Sequence, residues 1–294
     1  MPVTITDVVL RDGLQDENVL VATDDKLTIA DALVAAGVRQ IEAVSFVSPT
    51  RVPQMADADA LIARLQPYRA TTQVSALALN ATGVHRAVAA GVDVVHIAAS
   101  ASSAHSRANA GKSAAQALED LSQAVAGYPE QRFLGGISTA FVCPFEGTVS
   151  PTRLVEVAEQ FAAMGIRALG LADTLGTATT EHVLTAVGAV REALPDLTIG
   201  LHLHNADGQA LTTALQAARH LGIAHFDSAV GGYGGCPFAP GAHGNLATEE
   251  LVAHFHSHDV ETGVDQAQVT AAASLVKRVV AASPQLSRFA PVRG

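Results

Sequence analysis

Two histidines stand two residues apart in the segment 200–205, which reads GLHLHN. On a β-strand, residues i and i+2 project to the same face, so both imidazoles point one way and the intervening leucine points the other. Two neutral imidazoles at this spacing form half of a metal site without any distortion of the backbone. A single histidine on a strand is more often a core residue, but the pair favours coordination. We therefore interpret His202 and His204 as metal ligands.

An Arg-Asp pair, Arg11 and Asp12, follows the first apolar run of the chain. Asp12 would supply the hard oxygen ligand that a site with two imidazoles lacks; the alternative is a surface salt bridge, which contributes little. Glu42 lies within another apolar run, where a buried carboxylate needs a partner. Arg11 is the natural candidate, and the alternative is a buried ion pair without any catalytic part.

A glycine-rich segment, with six glycines between Gly231 and Gly244, contains Cys236 and precedes Asn245. It lacks the Gly-Lys-Ser/Thr ending of a nucleotide-binding loop. One interpretation is a phosphate-binding or flexible loop, and another is a mobile lid that carries the Cys236 thiol into a site. Asn245 could cap the next helix, which we expect at Leu246, or complete an Asp/His/His/Asn ligand set.

Weaker candidates for substrate contact stand at other strand ends: Gln15, Ser45, Ser138, Asp173 and Thr174. Asp173 and Thr174 could instead cap the helix that follows them. We expect Cys143 to be a small buried thiol and not a nucleophile, because the sequence gives it no neighbouring base.

Short β-branched runs alternate with longer Ala-rich segments along the whole chain. The predicted strands are 4–10, 41–46, 73–79, 92–98, 133–139, 168–172, 198–204 and 225–230. Eight such units in one chain predict a (β/α)8 TIM barrel, in which polar residues at the carboxyl ends of the strands gather at one mouth. A doubly wound sheet is the alternative, but no Gly-rich dinucleotide turn follows the first strand. We expect a single domain over residues 1–294, with the barrel ending near residue 260 and a helical appendage over 261–294.

Composition excludes several classes of protein. The 294 residues carry a net charge of −10 and are 49% apolar, which argues against nucleic-acid binding and against disorder. No stretch has the length of a membrane span or the pattern of a secretory signal. With two cysteines, a disulfide framework is not expected, and we predict a cytoplasmic location.

Five motifs give the chain a recognisable resemblance: RDGLQDE at 11–17, IEAVSFVSPTRVPQM at 41–55, LADTLG at 171–176, GLHLHNADGQA at 200–210 and GGCPFAPGAHGNLATEEL at 234–251. Together they resemble the hydroxymethylglutaryl-CoA lyase family, within a wider group of metal-dependent barrel lyases and acyl-CoA Claisen synthases. The last motif is the one that favours lyases over synthases.

The resemblance implies a Mg²⁺ or Mn²⁺ ion held by Asp12, His202, His204 and Asn245. It also implies that Arg11 polarises the substrate carbonyl, that Glu42 acts beside Arg11, and that the Cys236 thiol takes part in proton transfer. His202 and a water on the metal both stay open as the base. A homodimer is a further expectation from the family.

The expected reaction is retro-Claisen cleavage of an acyl-CoA substrate to acetyl-CoA and a 3-oxo acid. Asn18, Thr50-Arg51 and Ser103 depart from the residues usual in the family, at positions expected to touch the acyl chain or CoA. The substrate is therefore 3-hydroxy-3-methylglutaryl-CoA or a closely related 3-hydroxyacyl-CoA. The alternative is a metal-dependent aldolase or a condensing synthase that acts on a related oxo acid or acyl-CoA.

Overall fold

The computed structural model describes residues 2–206, 208–235 and 244–286. The strands are β1 (Thr4–Asp7), β2 (Gln40–Ser45), β3 (Gln73–Ala78), β4 (Val94–Ser100), β5 (Phe133–Ser138), β6 (Val142–Cys143), β7 (Gly147–Thr148), β8 (Ala168–Asp173), β9 (Thr198–Leu203) and β10 (His225–Ser228). The α-helices are α1 (Thr23–Ala35), α2 (Ala58–Leu65), α3 (Ala81–Ala90), α4 (Ser103–Ala110), α5 (Ala114–Ala126), α6 (Pro151–Ala163), α7 (Thr180–Ala193), α8 (Ala210–Leu221), α9 (Thr248–His256) and α10 (Gln266–Ala282).

Eight of these strands close into a parallel barrel in the order β1-β2-β3-β4-β5-β8-β9-β10, with β10 paired to β1. Side chains alternate across each strand, as β8 illustrates. Leu169 and Leu171 are fully buried, while Gly170 and Ala172 line a cavity inside the barrel. The (β/α)8 TIM barrel predicted from the sequence is confirmed.

Helix ends follow the local sequence. Asn80 and Ser150 accept hydrogen bonds from the backbone N–H groups of Gly83 and Arg153, at 2.9 and 3.2 Å, and so begin α3 and α6. Gly222 ends α8 in the left-handed conformation, which costs glycine little. These caps define where α3 and α6 begin and where α8 ends.

The first strand is shorter than predicted. It ends at Asp7 and not at Leu10, and residues Val9–Gly13 form a π-helical turn. The Asp7 carboxylate accepts a hydrogen bond from the Val9 N–H at 2.9 Å, which turns the chain out of the strand. Periodicity could not distinguish the apolar start of this turn, Val9 and Leu10, from a continuation of the strand.

Other predicted boundaries also need correction. The remaining barrel strands differ from prediction by one or two residues at their ends. The helix after Asp173 and Thr174 begins only at Thr180, with Thr179 as its N-cap, so neither residue caps it. Likewise α9 begins at Thr248 and not at Leu246, and Asn245 is not its N-cap. The β6–β7 hairpin and helix α4 were not predicted.

Helix α10 lies outside the barrel repeat and packs against α1. Its face of Val269, Ala272, Ala273 and Val276 is buried. Beyond it, the Leu20 N–H donates to the Pro284 carbonyl at 2.9 Å, which attaches the end of the described chain beside the first βα segment. In the described ranges, no helix has the length and apolar character needed to cross a membrane.

Candidate metal centre and active site

The π-helical turn after β1 carries Arg11 and Asp12 to the barrel mouth. Asp7, which is fully buried, holds this turn in place. Besides the Val9 N–H, its carboxylate accepts from the Val230 N–H at 3.0 Å and from the Thr248 hydroxyl at 2.7 Å. The Asp7 carboxylate therefore connects the segment after β1 with the segment after β10. These two segments carry Arg11, Asp12 and Asn245.

Arg11 bridges two carboxylates. Its guanidinium donates to Asp12 and to Glu42, and all three side chains are buried. Burial alone would raise the pKa of Glu42, but Arg11 and then His96 lower it well below its usual range. The pKa of Asp12 is likewise lowered, because Arg11, His202 and His204 outweigh the effect of burial. Both carboxylates are therefore ionised at neutral pH, and Arg11 is the predicted partner of Glu42.

Asp12, His202 and His204 converge at the barrel mouth, although nearly two hundred residues separate the aspartate from the histidines. The two Nε2 atoms lie 3.2 Å apart, and His202 Nε2 lies 3.9 Å from Asp12 Oδ2. One potential ligand atom from each of the three residues lies within 4.8 Å of the others. The side of the strand to which both histidines were predicted to project is therefore also the side on which the Asp12 carboxylate lies.

Asp227 on β10 fixes the orientation of His202. The Nδ1 atom of His202 lies 3.2 Å from Asp227 Oδ2. A carboxylate can only accept here, so the hydrogen resides on Nδ1 and leaves the Nε2 lone pair toward Asp12 and His204. A metal-binding histidine is commonly oriented by a carboxylate in this way.

The donor set fits a divalent cation. It offers a carboxylate oxygen and two imidazole nitrogens, ligands that divalent metal ions accept. Asp16 lines the same cavity, and burial together with the Asp12 carboxylate raises its pKa to about 7. Acidic groups are thus concentrated around the cluster, and a bound cation would offset their mutual repulsion.

Asn245 adjoins the cluster through its amide nitrogen. Nδ2 donates to Asp12 Oδ2 at 2.6 Å and to the Tyr233 carbonyl at 2.9 Å. Coordination would instead use the amide oxygen, which a half-turn of the amide group would bring to the same position. Asn245 therefore lies where the sequence analysis expected it, while its coordination of the metal stays a prediction.

A cavity of about 210 Å³ opens beside the cluster. Seven of the residues singled out in the sequence line it: Arg11, Asp12, Gln15, Ser138, Thr174, His202 and His204. The loop after β8 approaches the metal-ligand strand closely, since a Cβ on Gly176 would lie 2.7 Å from the His204 carbonyl carbon. Gly176 also has a φ of +71°, so glycine suits this position for two reasons.

The other candidates lie behind the lining. Ser45 is fully buried and donates to Gln15 Oε1 at 2.6 Å, so it orients a lining residue. Asp173 accepts from the Ala178 N–H at 3.1 Å and helps to shape the loop after β8. Cys143 is buried, as expected, with its thiol 3.0 Å from the Ser102 hydroxyl. Cys236, the predicted proton-transfer thiol, lies outside the residues that the structure describes.

Two residues of the site were missed in the sequence. Asp227 orients His202, and His96 on β4 contacts Glu42 Oε2 through Nδ1 at 2.5 Å. His96 is a polar residue inside a largely apolar strand, the signal that singled out Glu42. Applied to every predicted strand, that signal would have found His96, but the strand of Asp227 reads HFDS and offers no such contrast.

Comparison with known proteins gives concordant matches. A family profile described as HMGL-like matches residues 2–276. The (R)-citramalyl-CoA lyase of Chloroflexus aurantiacus is 39% identical over 281 residues, which cover 92% of this chain and 88% of that protein. The mitochondrial hydroxymethylglutaryl-CoA lyase of Macaca fascicularis is 37% identical over 93% of this chain and 84% of its own length.

Solved structures agree with these matches. An HMG-CoA lyase from Acinetobacter baumannii, in complex with coenzyme A and 3-methylmalate, has a TM-score of 0.90 and 33% identity. The similarity covers 99% of this chain and 95% of that one. An HMG-CoA lyase from Brucella melitensis has a TM-score of 0.89 and 34% identity, over 95% of this chain and 99% of that one.

Proposed function

This chain belongs to the HMGL-like family and is a lyase, and on that premise we propose that it cleaves a 3-hydroxyacyl-CoA to acetyl-CoA and an oxo acid with the help of a divalent cation. The observation that carries the proposal is the convergence of Asp12, His202 and His204 at the mouth of a cavity. The resemblance found in the sequence and the relatives' names support the same class of substrate. A cytoplasmic location stays a prediction.

Asp12, His202 and His204 would hold the cation, with Asn245 as a fourth ligand, and Mg²⁺ or Mn²⁺ is the ion we propose. When bound, such an ion lowers the pKa of a hydroxyl group and anchors a neighbouring carboxylate. His202 cannot be ligand and base through the same atom, because its Nε2 faces the cluster and its Nδ1 hydrogen is held by Asp227. We therefore assign His202 to cation binding, and the base to another acceptor.

The cleavage itself breaks one C–C bond and transfers two protons. The substrate hydroxyl loses its proton to a base, its oxygen forms a carbonyl, and the adjacent C–C bond breaks. The electrons of that bond pass into the thioester as an enolate, whose carbon then takes up a proton to give acetyl-CoA. We propose Cys236 as the donor of that second proton, in keeping with the family resemblance.

Arg11 is suited to stabilise the enolate. Its guanidinium lines the cavity next to Asp12, and its pKa is raised, since Asp12 and Glu42 outweigh the effect of burial. It is therefore always charged, and a buried cation held by two carboxylates needs no reorganisation during the reaction. Glu42 contacts Arg11 without lining the cavity and acts as a positioning residue.

The proposal is tested by offering the purified chain hydroxymethylglutaryl-CoA and citramalyl-CoA, each with Mg²⁺, Mn²⁺ or EDTA. Mass spectrometry of the products should detect acetyl-CoA and the matching oxo acid in the presence of the metal. The matched control is a thioester that lacks the 3-hydroxyl group, which should remain intact. Failure to cleave any hydroxy thioester, with turnover of a free oxo acid, would favour the aldolase or synthase alternative.

A further inference from the structure

His96 presents an unused nitrogen to the interior of the barrel. The residue is nine-tenths buried on β4, and its Nδ1 contacts Glu42 Oε2 at 2.5 Å. Its Nε2 atom is buried and has no hydrogen-bond partner among the residues that the structure describes. A buried polar atom without a partner costs free energy. That cost is offset if a ligand supplies the partner.

Glu42 fixes the tautomer of His96. The carboxylate is ionised, because Arg11 lowers its pKa despite burial, and it can only accept a hydrogen bond. The hydrogen of His96 therefore lies on Nδ1, and a neutral ring presents a lone pair at Nε2. A protonated ring would present a donor at the same atom. An alcohol is a neutral group that can pair with Nε2 in either state, because its oxygen both donates and accepts.

Small residues line the cavity around the His96 imidazole. The cavity that contains the Asp12–His202–His204 cluster continues along His96 and is walled there by Leu77, Ala98, Gly136, Gly170 and Ala172. A Cβ on Gly136 would lie 2.3 Å from His96 Nε2, so glycine is needed for the imidazole to reach its position. A Cβ on Gly170 would meet its nearest neighbour only at 3.9 Å.

This part of the cavity is lined by those five apolar residues and by the His96 imidazole, and it is continuous with the proposed reaction site. We propose that it receives the substituent on the hydroxyl-bearing carbon of the acyl-CoA, and that His96 Nε2 hydrogen-bonds to an alcohol at the end of that substituent. The preferred substrate class is then a branched 3-hydroxyacyl-CoA whose branch is longer than methyl and ends in a hydroxyl group. This inference rests on the proposed lyase function.

The test compares three thioesters that differ only in the branch on C3: methyl, propyl and 2-hydroxyethyl. The last two have the same number of heavy atoms, so their ratio of kcat/KM isolates the terminal oxygen. We expect the wild-type chain to prefer 2-hydroxyethyl over propyl by about tenfold, the worth of roughly one buried hydrogen bond. His96→Leu should abolish or reverse this preference, and His96→Gln should restore part of it.

Two further variants distinguish the loss of the hydrogen bond to His96 Nε2 from a general loss of activity. Gly136→Ala should displace the imidazole and reduce the preference as His96→Leu does. Thr72→Val is the matched control, because the Thr72 hydroxyl is also buried without a partner among the described residues but does not line the cavity. It should leave the preference unchanged.

Loss of cleavage for all three thioesters in the wild-type chain would refute the lyase function itself. Cleavage of the methyl thioester, with equal rates for propyl and 2-hydroxyethyl, would overturn only the role of His96. An equal loss of kcat for all three thioesters in His96→Leu, with the wild-type preference retained, would also overturn it.

Discussion

Among single residues, Asp227 decides which nitrogen of His202 faces the metal-ligand cluster. Its carboxylate accepts from Nδ1 across 3.2 Å, and the opposite ring nitrogen is then free to bind a cation. Asp12, His202, His204 and Asp227 form a set in which three side chains would bind the proposed cation and Asp227 orients one of them. The orienting role of Asp227 and the binding role of His202 can each be measured through the affinity for a metal ion.

Asp227→Asn should weaken metal binding without abolishing it. The amide is isosteric but uncharged, and it no longer fixes the hydrogen on Nδ1, so we expect a loss of about 10- to 100-fold in affinity. Titration calorimetry with Mn²⁺ measures it. Asp93→Asn is the control, since Asp93 pairs with Arg69 away from the cavity. Unchanged affinity in Asp227→Asn would contradict the orienting role.

Metal binding should weaken as the pH falls. Burial alone would lower the pKa of His202, but Asp227 and Asp12 raise it above its ordinary value. Only the unprotonated Nε2 binds a cation, so protons compete below this raised pKa, and affinity should fall by up to about tenfold for each pH unit. Calorimetry at pH 8, 7 and 6 measures the trend, and equal affinity at all three values would contradict it.

At the level of elements, the π-helical turn after β1 and the segment after β10 depend on one buried carboxylate. Asp7 accepts hydrogen bonds from Val9, Val230 and Thr248, and through them it joins the first and last strands of the closed barrel. The residues proposed to bind the cation lie on these two segments, on β9 and at the position directly after β9. The Asp7 carboxyl group therefore stabilises both the closure of the barrel and the geometry of the site.

Asp7→Ala should destabilise the fold by about 2–4 kcal/mol, because it leaves buried donors without an acceptor. Burial raises the pKa of Asp7 to about 7 in the folded chain, so this carboxyl's contribution falls as the pH rises from about 4 to about 7. The loss should thus be larger at pH 5 than at pH 8. Urea unfolding at both pH values measures it.

Asp265→Ala is the matched control for that series. Asp265 is an exposed N-cap of α10 that accepts from the Gln268 N–H at 2.8 Å, and its loss should cost about 1 kcal/mol. If both variants lost the same stability at both pH values, the special role of Asp7 would be refuted.

At the scale of the whole molecule, those features of the fold and site that depend on strand periodicity could be predicted from the sequence. The alternation of β-branched and Ala-rich segments indicated the barrel, and the spacing of His202 and His204 indicated a shared face. The turn at Val9–Gly13 could not be found this way, because it begins with Val9 and Leu10, which continue the apolar run of the strand before it. Contacts such as Asp227 with His202 arise only when the barrel closes, and no local pattern pairs them.

The barrel and helix α10 should unfold together. The buried face of α10 packs against the helices around the barrel. Val276→Ala should therefore lower the free energy of unfolding by roughly 1–3 kcal/mol and lower the midpoint of one common transition. Arg278→Ala, on the exposed side of the same helix, should leave it unchanged. Calorimetry measures both, and a separate transition for α10 would contradict the prediction of a single domain.

The central claim is that a cation at Asp12, His202 and His204 is required for thioester cleavage. It is tested most directly by measuring acetyl-CoA release from metal-depleted chain as Mg²⁺ or Mn²⁺ is added back. Activity should be absent without metal, rise to a plateau at one ion per chain, and not be restored in His204→Ala. Full activity in excess EDTA, or an undiminished rate in His204→Ala, would contradict the claim.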